Sequence, residues 1–194
     1  MGSSNIEIEA KVLLLKEEYN KVIEVLNLNK YRKFCQTNYY IDTKNSYLKK
    51  NGIALRIREK DDVFELTLKT PLSEGLLEKN EDITWKQMDD MRDSGIFPEG
   101  GIKKFLLILG VKIEDLQVLT SLTTERISVD YNGYRLDLDK NTYGGITDYE
   151  LEVESTSMEH ARGYIKDILE QCGINDFSFN KVSKQARALN ALNK

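Results

Sequence analysis

Polar and apolar residues alternate in IEIEAKVLL at residues 6–14, where Glu7, Glu9 and Lys11 stand between Ile6, Ile8, Ala10 and Val12. A period of two marks a β-strand with one apolar and one polar face. The pattern returns in IALRIREK (53–60), VFELTLKT (63–70), TTERISVDY (123–131), YRLDLDK (134–140) and YELEVES (149–155). Weaker versions stand in TNYYIDT (37–43) and KNEDITW (79–85). Turn signals separate several of these runs: Lys60-Asp61-Asp62 after the second, Asn132-Gly133 before YRLDLDK. About eight strands follow, mostly hairpin-linked and so mostly antiparallel. Helical spacing is seen in KEEYNKVIEVLN (16–27), with Tyr19, Val22, Ile23 and Leu26 on one face, and near 86–94, 99–109, 158–171 and 181–192. The chain is therefore read as α+β.

The polar positions of the strands are sorted by sign. Glu-x-Glu fills the first strand and the last, Asp137-x-Asp139 the one before the last, and Arg56-x-Arg58 the third, while Lys69 and Arg126 stand alone on two others. Like charges side by side on one strand face repel and need neutralising unless water screens them. Two arrangements answer this. One is a plain solvated face, where the high dielectric makes the repulsion small. The other closes the strands into a barrel whose lumen holds the charges, with helices over the outward apolar face. The sorting favours the second, because a carboxylate wall beside a Lys/Arg wall suits a polyanion carrying divalent cations.

Composition narrows the chemistry. At 194 residues, 40% hydrophobic and 31% charged, with two prolines and no linker-like tract, the chain is expected to form a single domain over 1–194, with residues 1–5 flexible. A net charge of −4 provides no general positive field for nucleic acid or acidic membranes. Cys35 and Cys172 form no CxxC and are too few for a disulfide framework or a thiolate zinc site, which suits a reducing cytoplasm. The single histidine, His160, lies in a helical-looking stretch and reads as a solvated residue, which argues against histidine catalysis. No apolar run reaches the ~20 residues of a membrane span, and no signal peptide is expected before Ile6.

EIEAK at 7–11 with its flanking Ile6 resembles the ExExK signature of CYTH domains, the triphosphate tunnel metalloenzymes, which include inorganic triphosphatases, thiamine triphosphatases and class IV adenylate cyclases. Further pieces fall in that family's order: NYYIDT, GIALRIRE, LTLKT, TTERISV, LDLDKNTYGG with YELEVE, and VSKQARAL, from Ile6 to Leu189. The resemblance implies a closed antiparallel eight-stranded barrel, a tunnel with helices packed outside, that binds a triphosphate and two divalent ions, Mg²⁺ or Mn²⁺. It implies Glu7, Glu9, Asp139 and two of Glu150, Glu152 and Glu154 as metal ligands, Glu152 foremost and Asp137 as the fallback for Asp139. Lys11, Arg56, Arg58, Lys69, Arg126 and Lys184 would contact phosphate, with Arg187 near Lys184. The resemblance also implies Glu7, Glu9 and Lys11 as the catalytic set.

One strand departs from the family pattern. Where Arg-x-Glu is common, LLEKNEDITW stands here; parity turns Ile83 and Trp85 outward and Glu78, Asn80, Asp82 and Thr84 inward, with Glu81 pointing away. Tyr39 and Tyr40 read as strand packing with one hydrogen bond, Thr67 as a β-propensity choice, and Lys60 and Glu65 as exposed near a turn.

The expected reaction is hydrolysis of the terminal phosphoanhydride of a triphosphate, inorganic tripolyphosphate first, by in-line attack of water. A lumenal carboxylate or Lys11 could orient that water; no residue stands out as general base. A class IV-type adenylate cyclase needs a base-recognition pocket, and a thiamine triphosphatase an aromatic platform, and neither is legible. From another class, a non-catalytic polyphosphate- or nucleotide-binding module fits the same residues. The partner is a small triphosphate-containing molecule, not nucleic acid or membrane. A homodimer is allowed, since the sequence does not set oligomeric state.

Overall fold

A computed structural model describes residues 3–192. Along it run β1 (Ser3–Glu7), β2 (Glu9–Leu14), α1 (Lys16–Val25), β3 (Lys33–Asp42), α2 (Tyr47–Lys50), β4 (Ala54–Lys60), β5 (Val63–Pro71), β6 (Leu76–Ile83), α3 (Trp85–Ser94) and α4 (Gly101–Ile108). Then come β7 (Gln117–Tyr131), β8 (Tyr134–Tyr143), β9 (Ile146–Glu154), α5 (Met158–Gln171) and α6 (Lys184–Ala191). The mixed α+β class is as expected, but the strands of the described residues number nine rather than eight. The cause is the first run, which changes partner at Ile8: β1 lies beside β6, whereas β2 pairs with β9 and Ser155 N donates to the Ile8 carbonyl at 3.0 Å. β1 starts at Ser3, inside the stretch expected to be flexible; residues 1 and 2 lie outside the described residues.

The chain forms two compact units, one of residues 3–6, 36–122 and 184–192 and the other of 7–35 and 123–183. In the first, the strand order is β1-β6-β5-β4-β3, with antiparallel pairing from β6 to β3. Its core joins the apolar strand positions Ile41, Leu55, Ile57, Leu66 and Leu68 to Met88 and Met91 of α3 and Ile102 and Leu106 of α4. In the second, the order is β7-β8-β9-β2, all antiparallel. Val12, Ile127, Leu136, Leu138, Leu151 and Val153 pack there on Val22 and Ile23 of α1 and Ile165 and Leu169 of α5. In each unit helices therefore cover the apolar strand face, and the charged positions, one residue out of phase, take the opposite face.

Three tight turns set the strand registers. Asp61-Asp62, Asn132-Gly133 and Gly144-Gly145 all have positive φ at both positions, as the two-residue hairpin turn that matches strand twist requires. Gly133 N also donates to Asp130 Oδ1 at 3.2 Å. A register slip of one residue would turn every charged position into the core, so these turns fix the sites described next.

β6 ends earlier than the alternation suggests. Thr84, expected inward, is the N-cap of α3: its Oγ1 accepts from Gln87 N at 3.2 Å and Gln87 Oε1 accepts from Thr84 N at 2.9 Å. Trp85 thus begins a helix, 64% exposed, rather than closing a strand. Glu81 does point away from the charged face, and its Oε1 accepts from Ile102 N at 2.9 Å at the start of α4. Asp42, buried at the end of β3, accepts from the backbone N–H groups of Thr43, Leu48 and Lys49 and so serves the α2 turn. His160 is exposed on α5. Among the described residues no helix is long and apolar enough to cross a membrane.

Candidate functional site

Cross-strand register gathers the acids of the second unit. Glu152 lies between Lys11 and Asp137, and Glu150 lies opposite Asp139, which in turn faces Arg126. Carboxylate oxygens of Asp139, Glu150 and Glu152 all come within 4.8 Å of one another, and all three residues are buried. Like charges in such cross-strand pairs repel, so a compensating cation is required. Arg126 provides it. Its Nε donates to Asp139 Oδ1 at 2.7 Å and its Nη2 to Asp139 Oδ2 at 2.6 Å, a two-pronged contact, while Nη2 also reaches Glu152 Oε2 at 2.7 Å. Nη1 donates to Asp137.

Burial by itself disfavours the charged guanidinium, but Asp139, Glu152 and Asp137 outweigh that cost and push its proton affinity further above an arginine's ordinary value. Removing one member of such a buried ionic network costs about 3–5 kcal/mol, because the others are left uncompensated. Lys11 adds a second cation, 2.5 Å from Glu9 and 3.6 Å from Glu152.

The expected residues separate accordingly. Asp139, Glu150 and Glu152 form the group; Glu9 joins it through Lys11; Asp137 binds Arg126 and, at 3.3 Å, Arg135. Glu154 is exposed, paired in register with Glu9 and Arg135 at the strand end. Glu7 ends β1, half-buried, and is not one of the three grouped acids. Asn180, which sequence reasoning passed over, donates from Nδ2 to Glu150 Oε1 at 3.3 Å, while its backbone N donates to the Lys11 carbonyl. It sits beyond α5 with no periodic pattern to announce it. A buried polar chain continues along this face: Thr124 Oγ1 to Asn141 Oδ1 at 2.7 Å, and Asn141 Nδ2 to Asp148 Oδ1 at 2.9 Å.

The first unit has its own charged face. One cross-strand row reads Tyr40, Arg56, Thr67, Asn80, and the next Asn38, Arg58, Glu65, Asp82. Lys69 stands opposite Glu78, with Nζ 2.9 Å from Oε2. Burial pushes the Glu78 carboxyl up, but the Lys69 charge, hydrogen bonds from Asn80 and Lys69, and the charge of Arg56 hold it down at about 2. Arg58 Nε donates to Asn38 Oδ1 at 3.4 Å and its Nη1 lies 3.9 Å from Glu65. The Nε of Arg56 is shielded from solvent and has no hydrogen-bond partner.

Tyr39 behaves as strand packing with one hydrogen bond, from its hydroxyl to Glu59 at 2.8 Å. Tyr40 instead turns to the charged face, opposite Arg56: burial raises its pKa, while the charges of Arg56, Lys184, Arg187 and Arg58 pull it down. The signal that could have found Tyr40 is its register opposite Arg56. Asp82, expected inward, shares the face of Glu65 but is exposed.

Comparison with known proteins identifies the family. The CYTH domain model matches residues 5–184, and the chain belongs to the CYTH family. A Bacillus subtilis (strain 168) protein provisionally named triphosphatase YjbK is 34% identical over 174 residues, covering 89% of each chain. A solved structure from Bacillus halodurans, provisionally named an adenylate cyclase, is 37% identical with a TM-score of 0.84, over 92% of this chain and 96% of that one. Hippeastrum HpAC1, described as a provisional adenylyl cyclase with a dominant triphosphatase activity, has a TM-score of 0.75 at 24% identity over 95% of this chain and 96% of its own, a likeness of fold.

Proposed function

We propose that this protein is a divalent-metal-dependent phosphohydrolase that cleaves the terminal phosphoanhydride of a triphosphate, with inorganic tripolyphosphate as its substrate. The convergence of Asp139, Glu150 and Glu152 carries this reading. Buried carboxylate oxygens with no thiolate or imidazole among them are hard ligands and suit Mg²⁺ or Mn²⁺. Glu7 and Glu9 are proposed as further ligands for a second ion of the same kind. When bound, such ions supply a Lewis acid for the phosphoryl oxygens and lower the pKa of a coordinated water.

The residues of the chain do the rest. Arg56, Arg58, Lys69, Arg126 and Lys184 take the phosphate oxygens, Arg by paired contacts, and stabilise the charge that builds on the equatorial oxygens. Lys11, beside Glu9 and Glu152, orients the attacking water or the terminal phosphate. The closed tunnel implied by the resemblance belongs to the same proposal, as do one functional domain over the chain, a cytoplasmic location and a homodimer.

The relative named as a triphosphatase supports hydrolysis, and the one named as a cyclase keeps a second reaction in view. Trp85, the single tryptophan, stands exposed at the start of α3 and so offers no stacking platform on the charged strand face. Purified protein with Mg²⁺ or Mn²⁺ is to be given tripolyphosphate, ATP and thiamine triphosphate in turn, reading phosphate and cyclic AMP. Phosphate release from tripolyphosphate that is lost in Glu150→Gln and Glu9→Ala is the expected result. Release that survives both substitutions overturns the metal assignment, cyclic AMP from ATP replaces hydrolysis with cyclisation, and binding without turnover makes the protein a binding module.

A further inference from the structure

Arg126 does more on this face than wait for phosphate. Of its N–H groups, Nε and Nη2 take both oxygens of Asp139, Nη2 also takes Glu152, and Nη1 takes Asp137. Two of the three grouped acids, Asp139 and Glu152, are thus already engaged by a cation that is itself almost wholly enclosed, its side chain 11% exposed. A divalent ion takes carboxylate oxygens at about 2.0–2.6 Å. With a guanidinium nitrogen still on the same oxygen, the two cations would stand on the order of 4 Å apart, with their repulsion poorly screened.

We propose that Arg126 is the resident counter-cation of the Asp139–Glu150–Glu152 group. It holds the acids together, gives up Asp139 and Glu152 when they close on a divalent ion, and is thereby delivered to a phosphate oxygen. The inference rests on the metal-site reading above and adds an exchange to it. Metal affinity in the absence of substrate is then set low by competition from within the chain, and the phosphate that receives Arg126 strengthens metal binding. Lys11 does not substitute for it: its single ammonium is 3.6 Å from Glu152 and is committed to Glu9 at 2.5 Å.

Charge and fork geometry make different forecasts. If Arg126 opposes the ion only by its positive charge, Arg126→Lys changes nothing. If it competes for the oxygens, Arg126→Lys weakens the competitor, because an ammonium cannot hold Asp139 by two parallel bonds while reaching Asp137 and Glu152.

The test is calorimetric titration of metal-free protein with MnCl₂, without substrate, on wild type, Arg126→Lys, Arg126→Met and Glu150→Gln, with circular dichroism to check each fold. The expected result is Mn²⁺ binding about fivefold tighter in Arg126→Lys and at least tenfold tighter in Arg126→Met, with binding abolished in Glu150→Gln. Arg126→Lys keeps a cation among the acids and serves as the decisive variant should Arg126→Met not fold. Equal affinity in wild type and Arg126→Lys, with Glu150→Gln still abolishing binding, overturns the exchange and leaves the metal site standing. No saturable Mn²⁺ binding in any of the folded proteins overturns both.

Discussion

Neutralising Glu78 by Glu78→Gln leaves Lys69 facing an amide in place of a carboxylate. Both side chains are mostly enclosed, 16% exposed for Lys69 and 18% for Glu78, so solvent screens the pair only partly. A carboxyl held at about 2 in the folded chain, against an ordinary 4.5, stabilises the fold by about 3 kcal/mol at neutral pH. Because the folded value is the lower one, this stability is fully present above pH 4.5 and disappears as the pH falls toward 2. The amide keeps its acceptor for Asn80, so a loss of about 2–3 kcal/mol is expected at pH 7, shrinking to about 1 kcal/mol near pH 3. Urea unfolding of wild type and variant at pH 7, 5, 4 and 3 measures that gap. A gap below about 0.5 kcal/mol at pH 7, or one that does not narrow in acid, refutes the reasoning. The same variant reports on function, since removing the negative charge of Glu78 from beside Lys69 should tighten tripolyphosphate binding several-fold.

Asp139→Asn and Glu150→Gln should each lower metal-dependent hydrolysis by about a hundredfold or more while the protein remains folded, as read by phosphate release and thermal melts. Arg58→Ala should weaken tripolyphosphate binding by about tenfold, roughly 1.4 kcal/mol, and shift unfolding by less than about 1 kcal/mol; equal effects on both would make Arg58 structural. At the other face of β6, a Cβ on Gly100 would come within 2.3 Å of Glu81 Oε2, so Gly100→Ala must dislodge the carboxylate from Ile102 N. Gly100→Ala and Glu81→Ala should each cost about 1 kcal/mol, and the double variant about the same as either, since both remove one helix-end contact. Additive losses in that cycle would show that the two act separately.

The alternation of EIEAK, LRIRE, LDLD and ELEVE carries its own structural instruction: a period of two sends every second side chain to one face whatever follows in the chain. Together with the turn pairs Asp61-Asp62 and Asn132-Gly133, it determined the strands, the hairpins and the separation of charge from core. The apolar spacing of Tyr19, Val22 and Ile23 likewise determined which side of α1 is buried. Other features needed the fold. Thr84 reads as a strand residue until Gln87 answers it across a helical turn, and only backbone geometry chooses between the two. That Asp139, Glu150 and Glu152 converge while Glu154 stays in solvent depends on which strand ends where, a matter of register between distant segments. Parity places Arg126 on the charged face, but which acids it takes is decided by distances in three dimensions, because a long cation goes to the carboxylates that have been brought closest.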